Sequence, residues 1–343
     1  KALIALDIEP SQRFVDEISK AWDEGDAVLP IDQRLPTEAK KQLIAELKPS
    51  YIVSSNGRAP LEGGLPVESD DALVVATSGS TGNPKGVVLT HGSVLASARA
   101  SSSALNVGID DHWYSCLPLA HVGGLSVVTR ALLMGTQLTV APRFDPQDVE
   151  QASHSCTLIS LVSTALQRVD ARLFRSILLG GSKPPSTRPA NVIATYGLTE
   201  TGSGVVYDGY PLNGVDIRIA DDGEILINSP MNMRCYRDGT TSIDSDGWLH
   251  TNDIGALSAD GQLSVDGRRG DVIVTGAEKV WPEAVEAALS AIIAADQFAI
   301  VGIPDAEWGE RIVLATTESN LSLNLIKEHL CLSMPNFCAP KEI

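Results

Sequence analysis

The sequence lacks several features that would place it in a specialised class of protein. No apolar run approaches the ~20 residues that a helix needs to cross a bilayer. The 5 cysteines are odd in number and show no CxxC spacing, so we expect neither a disulfide framework nor a thiolate metal site. Basic residues are few, since 26 Lys and Arg stand against 43 Asp and Glu, for a formal charge of −17. Nucleic acid and anionic membranes both favour a basic surface, so neither is an expected partner.

The length and composition are those of an ordinary globular enzyme. The chain has 343 residues, 43% of them hydrophobic and 20% charged, which is enough for two or more domains with separate cores. The apolar stretch before Asp7 is too short for the core of a signal peptide. We therefore expect a cytoplasmic protein, and the sequence leaves open whether it forms a homo-oligomer.

One glycine-rich stretch has the composition of a phosphate site. It lies between two apolar runs that predict buried strands, and it reads Thr77-Ser78-Gly79-Ser80-Thr81-Gly82-Asn83-Pro84-Lys85-Gly86. Glycines allow positive φ and let successive N–H groups face one oxyanion, while the hydroxyls and the lysine add donors. A Walker loop would continue after its lysine with a hydroxyl residue and a helix, but here a glycine and a strand follow. The pattern favours a polyphosphate ligand over the alternative, a flexible surface loop.

Alternating helix and strand patterns predict an α/β fold. Helical patterns occur at 14–22, 37–47, 91–105 and 125–134, and strand patterns at 27–30, 51–53, 72–76, 87–89, 113–119, 138–140, 158–162 and 176–179. This alternation is typical of a large domain built on parallel sheets with covering helices, whose ligands lie beyond the carboxyl ends of the strands. Short strands separated by turn residues predict a small β subdomain at 210–266. Residues beyond 270 predict a small α+β domain.

Further residues have the chemistry of a nucleotide site. Tyr196 follows a strand and can stack on a base, Thr199 can bind a phosphate, and Glu200 offers Mg²⁺ a hard oxygen ligand. The alternative for Glu200 is a carboxylate at a helix N-terminus. Asp253 can accept hydrogen bonds from a vicinal diol, or it can form a simple Asx turn. His121 precedes two glycines, and a lone histidine in such a place is usually an ordinary polar residue.

The phosphate-loop sequence resembles the signature of the adenylate-forming acyl-CoA synthetases. Within that family the chain is most similar to the short o-succinylbenzoate-CoA ligases of menaquinone biosynthesis, because the region before the loop is short and residues 207–212 are alike. The resemblance implies a large adenylation domain at 1–269 and a mobile C-terminal domain at 270–343. It also implies a Gly-Lys motif after Ile343 and a helix between Gly181 and Tyr196. We expect the sequence to be incomplete at these points; the alternatives are a deletion between Gly181 and Tyr196 and a protein that adenylates poorly without the lysine.

The resemblance also assigns roles to individual residues. It assigns ATP or AMP binding to Thr77, Ser78, Gly79, Ser80, Thr81, Gly82, Lys85, Gly180, Gly181, Ser182, Tyr196, Gly197, Thr199, Asp253 and Arg268. It assigns catalysis to Lys85, Thr199, Glu200 and His121, with Glu200 on the metal. The implied acyl pocket contains His121, Gly123, Gly124, Ser163, Thr164 and Ser203. The implied hinge is Gly270, and the implied CoA tunnel contains Gly276, Glu278 and Lys279. For Arg268, a solvated basic turn is the alternative.

The implied function is an ATP-dependent ligase that forms an acyl-AMP and then an acyl-CoA thioester. The expected substrates are o-succinylbenzoate, ATP and CoA, with Mg²⁺ as cofactor. Another acyl- or aryl-CoA ligase, or an enzyme that loads a carrier protein, is the alternative within the class. A nucleotide-binding protein without catalysis is the alternative from another class, and release of pyrophosphate with any carboxylate would exclude it.

Overall fold

The computed structural model describes residues 1–78, 84–182, 184–185, 187–275, 278–332 and 334–343. These residues form two compact units. The first consists of Lys1–Ile217 and Ile227–Leu249, and the second of Arg218–Leu226 and His250–Ile343. Residues 250–269, which the sequence analysis placed in the adenylation domain, thus belong to the second compact unit. Whether the functional boundary lies at 269/270 stays a prediction.

The described residues contain both helices and strands throughout. The helices are α1 (Gln12–Asp23), α2 (Thr37–Leu47), α3 (His91–Ala104), α4 (Val122–Met134), α5 (Pro146–Ala152), α6 (Ser163–Leu166), α7 (Pro282–Leu289) and α8 (Leu323–Leu330), with 3₁₀ turns at Ala171–Leu173, Thr199–Thr201 and Asn336–Cys338. The strands are β1 (Leu3–Leu6), β2 (Ala27–Pro30), β3 (Tyr51–Ser54), β4 (Gly57–Pro60), β5 (Asp71–Ser78), β6 (Pro84–Thr90), β7 (His112–Ser115), β8 (Gln137–Val140), β9 (Leu158–Val162), β10 (Ser176–Gly180), β11 (Val192–Gly197), β12 (Gly204–Tyr207), β13 (Tyr210–Pro211), β14 (Asp216–Ile219), β15 (Glu224–Asn228), β16 (Cys235–Tyr236), β17 (Leu249–Leu257), β18 (Leu263–Arg268), β19 (Ile273–Thr275), β20 (Glu278–Val280), β21 (Phe298–Asp305) and β22 (Gly309–Thr316). Among the described residues, none of the helices is both long and apolar enough to cross a membrane.

The first sheet of the first unit has the strand order β16-β6-β5-β2-β1-β3-β4. Strand β1 is parallel to β2 and β3, and β2 is parallel to β5. Strands β5 and β6 form an antiparallel hairpin, and β16 adds to the open edge of β6. The parallel centre confirms the predicted α/β architecture, and β1 and β2 are buried along their whole length, with α1 packed against both.

Sequence periodicity accounts for the covering helices. Helix α1 buries Phe14, Val15, Ile18 and Ala21, which recur at the spacing of one helical face. Helix α2 has the bounds predicted from its sequence. Helix α3 begins with a capping box, in which Thr90 and Ser93 exchange side-chain to backbone hydrogen bonds of 3.0 Å.

The second sheet of the first unit has the order β13-β12-β11-β10-β9-β7-β8. Strands β8, β7, β9, β10 and β11 run parallel, and β12 and β13 return antiparallel at one edge. Helices α3 and α4 pack against each other, with α3 contacting β5, β6 and β12, and α4 contacting β7, β8 and β9. The paired helices therefore lie between the two sheets.

The second unit contains most of a four-stranded sheet, β14-β15-β17-β18, and all of another, β20-β19-β22-β21. The first confirms the predicted short strands at 210–266. The second packs with α7 and α8 around a core that includes Ile273, Val285, Leu289, Ile312 and Leu330. This α+β arrangement agrees with the small α+β domain predicted beyond residue 270.

An ion pair joins the residue before β16 to the first residue of β5. Arg234, next to β16, donates to both carboxylate oxygens of Asp71 at 2.9 Å, and Asp71 is fully buried. Arg234 also donates to Glu68 at 2.6 Å. The pair fixes the chain before β16 to the start of β5.

We expect the substitution Asp71→Asn to lower the free energy of unfolding by about 3 kcal/mol, because it removes the buried charge that accepts two hydrogen bonds from Arg234 and leaves this guanidinium only the exposed Glu68 as charged partner. Urea denaturation followed by tryptophan fluorescence would measure the change. The control is Glu38→Gln, which removes an exposed i,i+3 pair with Lys41 and should change the value by less than about 0.5 kcal/mol. Equal small effects for both variants would contradict a structural role for the Asp71 pair.

Candidate active site

The β5–β6 hairpin positions the predicted phosphate loop. In its register Thr77 lies opposite Lys85, and the Thr77 hydroxyl lies 3.5 Å from the Lys85 carbonyl oxygen. Gly79, Ser80, Thr81 and Gly82 lie outside the described residues, and of Ser78 only the backbone is described. The pairing of β5 with β6 thus brings the two ends of the loop together.

Lys85 and Glu200 both contact one aromatic side chain, Tyr236. The Lys85 ammonium lies 5.0 Å from the centre of the Tyr236 ring, within the range of a cation–π contact. The Tyr236 hydroxyl donates to Glu200 Oε1 at 2.9 Å. Burial raises the pKa of Tyr236 to about 12, so the phenol keeps its proton and acts as donor. The structure therefore brings together the cation and the carboxylate that the sequence analysis assigned to phosphate and metal.

Thr199 and Glu200 lie on the 3₁₀ turn that follows β11. The turn is held by Thr201, whose hydroxyl accepts from Leu198 N at 2.9 Å, and by Met233, whose N–H donates to the Glu200 carbonyl at 2.6 Å. Tyr196 and Gly197 lie within β11 itself, and the register with β12 shifts between them. The strand that was predicted to precede Tyr196 therefore extends to Gly197, and Thr199 and Glu200 lie beyond its carboxyl end.

The carboxyl ends of β9 and β10 bring more of the predicted residues together. Gly180 pairs with Val162 at the ends of these parallel strands, and Gly181 takes a positive φ of 84°, which favours glycine. Ser182 and Ser163 lie within hydrogen-bond distance, with 3.0 Å between their hydroxyl oxygens. This edge is where parallel sheets place ligands.

His121 precedes α4 rather than ending a strand, because β7 stops at Ser115. Arg34 Nη2 lies 3.0 Å from His121 Nε2, and Asp32 Oδ2 lies 3.3 Å from the same nitrogen. An unprotonated Nε2 accepts from Arg34, whereas an Nε2 that carries a proton donates to Asp32. The hydrogen bond from Arg34 also lowers the pKa of the Asp32 carboxyl to about 2. The His121 side chain is 57% exposed, and its roles in catalysis and in the acyl pocket stay predictions.

The predicted acyl-pocket residues differ in exposure. Gly124 is buried, and a Cβ there would lie 2.6 Å from the carbonyl oxygens of Leu117 and Pro118, whereas Gly123 is exposed and less constrained. Thr164 is exposed on α6. Ser203 is buried, and its hydroxyl lies 2.6 Å from that of Ser97 on α3. These residues therefore range from buried to exposed, and their shared role in an acyl pocket stays a prediction.

A small cavity lies beside the Ser97 hydroxyl. Its volume is about 10 Å³, which is space for roughly one water molecule. It is lined by residues of β5, β6, α3 and α4 and by the glycine after the 3₁₀ turn, and these are Leu73, Leu89, Val94, Ser97, Leu125, Ser126, Thr129 and Gly202. The interior between α3 and α4 is therefore partly polar.

The sequence analysis missed Arg130, the single charged residue of α4. Its side chain is fully buried, and neither Nε nor Nη1 has a hydrogen-bond partner among the described residues. The guanidinium lies 4.9 Å from the Trp113 ring centre, and burial lowers the pKa of Arg130. The sequence alone could have indicated this residue, because it is the single charge in a mostly apolar helix and a charge buried without a partner is costly.

In the second unit, Asp253 and Arg268 are neighbours on β17 and β18. They pair in the antiparallel register, and Arg268 Nε donates to Asp253 Oδ1 at 3.2 Å. Asp253 is buried, whereas the Arg268 side chain is 61% exposed. The two predicted nucleotide contacts of this unit therefore interact with each other.

The other predicted residues of the second unit lie near β19 and β20. A Cβ at Gly270 would meet nothing within 4 Å, and Gly270 precedes β19 in a turn. Glu278 and Lys279 lie on β20, opposite Thr275 and Val274 of β19. Gly276 lies outside the described residues, as does the side chain of Lys279. The hinge and the CoA tunnel stay predictions.

The donor set around Glu200 fits magnesium better than a metal bound by protein ligands alone. In the part of the chain that the structure describes, no group of three or more His, Cys, Asp or Glu side chains is arranged to hold a metal ion. Mg²⁺ commonly takes one or two carboxylates together with substrate phosphates and water. A single carboxylate next to a phosphate loop agrees with that pattern.

Comparison with known proteins places the chain in a family. Residues 4–237 match the family described as AMP-binding enzyme. The chain belongs to this family, which confirms the resemblance drawn from the phosphate loop.

Among the relatives are 2-succinylbenzoate–CoA ligases of Bacillus cereus (strain ATCC 10987) and Bacillus anthracis (strain A0248), each 34% identical over 278 residues. The matches cover 69% of this chain and 58% of each relative. The chain thus spans less than two thirds of the length of these relatives.

Solved structures of similar fold cover nearly the whole chain. The o-succinylbenzoate CoA synthetase from Bacillus subtilis, in complex with the acyl-adenylate intermediate OSB-AMP, has a TM-score of 0.86 at 25% identity and covers 100% of this chain and 84% of its own. ATP-bound MatB from Rhodopseudomonas palustris has a TM-score of 0.85 at 20% identity, with 100% and 84% covered. The second likeness shows the fold alone, and both agree with the predicted α/β architecture.

We expect Gly197→Ala to lower the free energy of unfolding by about 2 kcal/mol, because a Cβ at this position has no space. It would lie 2.2 Å from the Ser203 carbonyl oxygen and 2.7 Å from Gly204 Cα, both of them backbone atoms. Chemical denaturation would measure the loss. The control Gly108→Ala, where a Cβ meets nothing within 4 Å, should change stability by less than about 0.5 kcal/mol. A Gly197 variant as stable as this control would show that the turn after β11 can move.

Proposed function

We propose that this chain carries the adenylating machinery of a 2-succinylbenzoate–CoA ligase. The observation that carries the proposal is that Lys85, on the hairpin that bears the phosphate-loop sequence, and Glu200 both contact Tyr236. Membership of the AMP-binding family supports the reaction class. The names of the relatives support the acid substrate and CoA.

In the proposed first step, a carboxylate oxygen attacks the α-phosphorus of ATP. A new P–O bond forms, the bond to the pyrophosphate oxygen breaks, and the electron pair leaves with pyrophosphate. The Lys85 ammonium and the Thr199 hydroxyl would bind phosphate oxygens, and fixed donors of this kind stabilise charge as it develops. Glu200 would hold Mg²⁺, which when bound neutralises phosphate charge. Tyr196 would lie against the adenine.

In the proposed second step, the thiol of CoA attacks the acyl carbon, and AMP leaves with the oxygen that came from the carboxylate. No side chain of the protein needs to act as nucleophile in either step. For the second unit we propose that Asp253 accepts hydrogen bonds from the ribose hydroxyls and that Arg268 contacts the nucleotide. Gly270 would act as the hinge and residues 276–279 would bind the pantetheine arm.

The buried Arg130 supports a substrate with a second carboxylate. Among the described residues its Nε and Nη1 have no partner, and its neighbour Thr129 lines the small polar cavity between α3 and α4. An anion that reached this region would offset the cost of the buried guanidinium. Succinylbenzoate has such an anion in addition to the carboxylate that is activated. The buried hydroxyls of Ser97 and Ser203 would add hydrogen bonds.

We expect a stable succinylbenzoyl-adenylate mimic to raise the melting temperature of the chain more than benzoyl, acetyl or long-chain mimics do. Binding at a hundred times the dissociation constant adds about 2.7 kcal/mol of apparent stability, which a thermal shift detects. Equal shifts for all mimics would retain the adenylate site but contradict the substrate. No shift with any mimic would favour a protein without this activity.

We expect Arg130→Met to abolish the extra stabilisation by the succinylbenzoyl mimic and to leave the shift with the benzoyl mimic intact. The methionine replaces a buried unpaired charge by apolar volume, so the ligand-free protein should be at least as stable as the unmodified chain. The same thermal-shift series measures both effects. The control is Arg99→Met, because Arg99 is exposed on the neighbouring helix α3. If the Arg130 variant preferred the succinylbenzoyl mimic as strongly as the unmodified chain does, this result would contradict a role of Arg130 in selecting the acid.

A further inference from the structure

We propose that Tyr236 is a positioning residue that holds the Glu200 carboxylate in place for the metal and keeps it apart from Lys85. The inference rests on the proposed function, since it concerns the same phosphate site. Tyr236 is the residue through which the predicted phosphate-binding lysine and the predicted metal ligand are connected: its ring faces Lys85 and its hydroxyl donates to Glu200. The sequence analysis assigned it no role.

The segment around Tyr236 is anchored on both sides, so the ring has a fixed position. Cys235 and Tyr236 form β16, which pairs with Val88 and Val87 at the edge of the first sheet. On one side Arg234 forms the buried pair with Asp71 described above. On the other side Arg237 donates to three backbone carbonyls, those of Leu47, Leu65 and Pro66, at 3.2, 2.6 and 2.8 Å.

The hydrogen bond from Tyr236 reaches only one of the two carboxylate oxygens of Glu200. The distance to Oε1 is 2.9 Å, and the backbone of Glu200 is fixed by the N–H of Met233. A carboxylate held in this way presents Oε2 in one direction, which is the role that outer-shell donors play for metal ligands.

Tyr236 contacts two opposite charges through different parts of its side chain. The ring face lies against the Lys85 ammonium, the hydroxyl donates to the Glu200 carboxylate, and among the described residues no ion pair joins Lys85 to Glu200. A direct pair would occupy the ammonium and the carboxylate that the phosphates and the metal require. The aromatic face stabilises the ammonium without neutralising it, so both charges stay available for ligand.

The test is isothermal titration calorimetry with an ATP analogue that carries a methylene group between the α- and β-phosphorus, in EDTA and in saturating Mg²⁺. Tyr236→Phe keeps the ring and loses the hydroxyl. We expect its affinity in EDTA to equal that of the unmodified protein, and the increase in affinity on adding Mg²⁺ to be smaller by about tenfold. Raising the Mg²⁺ concentration further should restore the affinity, which a general defect in folding would not allow.

A second variant, Tyr236→Leu, removes the ring as well. Lys85 and Glu200 can then pair directly, so we expect a lower affinity than that of the Phe variant even in EDTA. The control is Tyr207→Phe, which loses another buried phenol hydrogen bond, 3.1 Å to Ser101, and should show unchanged Mg²⁺ dependence. Melting temperatures without ligand show whether each variant is folded.

The outcomes separate the two hypotheses. Unmodified protein that fails to bind the analogue under either condition would contradict the proposed function. Unmodified protein that binds with Mg²⁺ dependence, together with a Phe variant of the same dependence, would overturn the positioning role alone. A Phe variant that loses the same factor of affinity with and without Mg²⁺ would also overturn it, because the hydroxyl would then not act through the metal ligand.

Discussion

The antiparallel pairing of β5 with β6 is the constraint on which the rest of the first unit depends. Its register sets Thr77 against Lys85, and the outer edge of β6 accepts β16. The added strand carries Tyr236, which contacts Lys85 on β6 and Glu200 on the turn after β11. A feature of backbone hydrogen bonding thus connects the first sheet to the carboxyl end of the second, where the ligand chemistry is expected.

The pattern of apolar and turn residues predicted several elements. The bounds of α2 follow from its apolar spacing, and the two strands of the hairpin follow from continuous apolar runs, because β6 is covered by both α2 and α3. Helix α4 starts at Val122, three residues before its predicted start, because Gly124 allows the helix to approach the carbonyls of Leu117 and Pro118. Sequence motifs also predicted the family, because glycine, hydroxyl and lysine together in one loop have the composition of a phosphate site.

The contacts that depend on strand order could not be predicted from the sequence. Tyr236 lies far along the chain from Lys85, and nothing in its own neighbourhood indicates that a two-residue strand joins the first sheet. Arg130 differs, because a single charge within a mostly apolar helix is visible in the sequence. That its Nε and Nη1 have no partner among the described residues, and that its guanidinium lies against Trp113, appears only in the folded structure. Burial and pairing between distant segments decide such roles.

The central claim is that a carboxylate oxygen attacks the α-phosphorus of ATP at this site. Incubation with ATP, Mg²⁺, CoA and succinylbenzoate labelled with ¹⁸O in its carboxylates, followed by mass spectrometry of the products, tests it most directly. The account predicts one ¹⁸O atom in AMP and none in pyrophosphate. Label in pyrophosphate or in inorganic phosphate would contradict the account, as would conversion of ATP to unlabelled AMP.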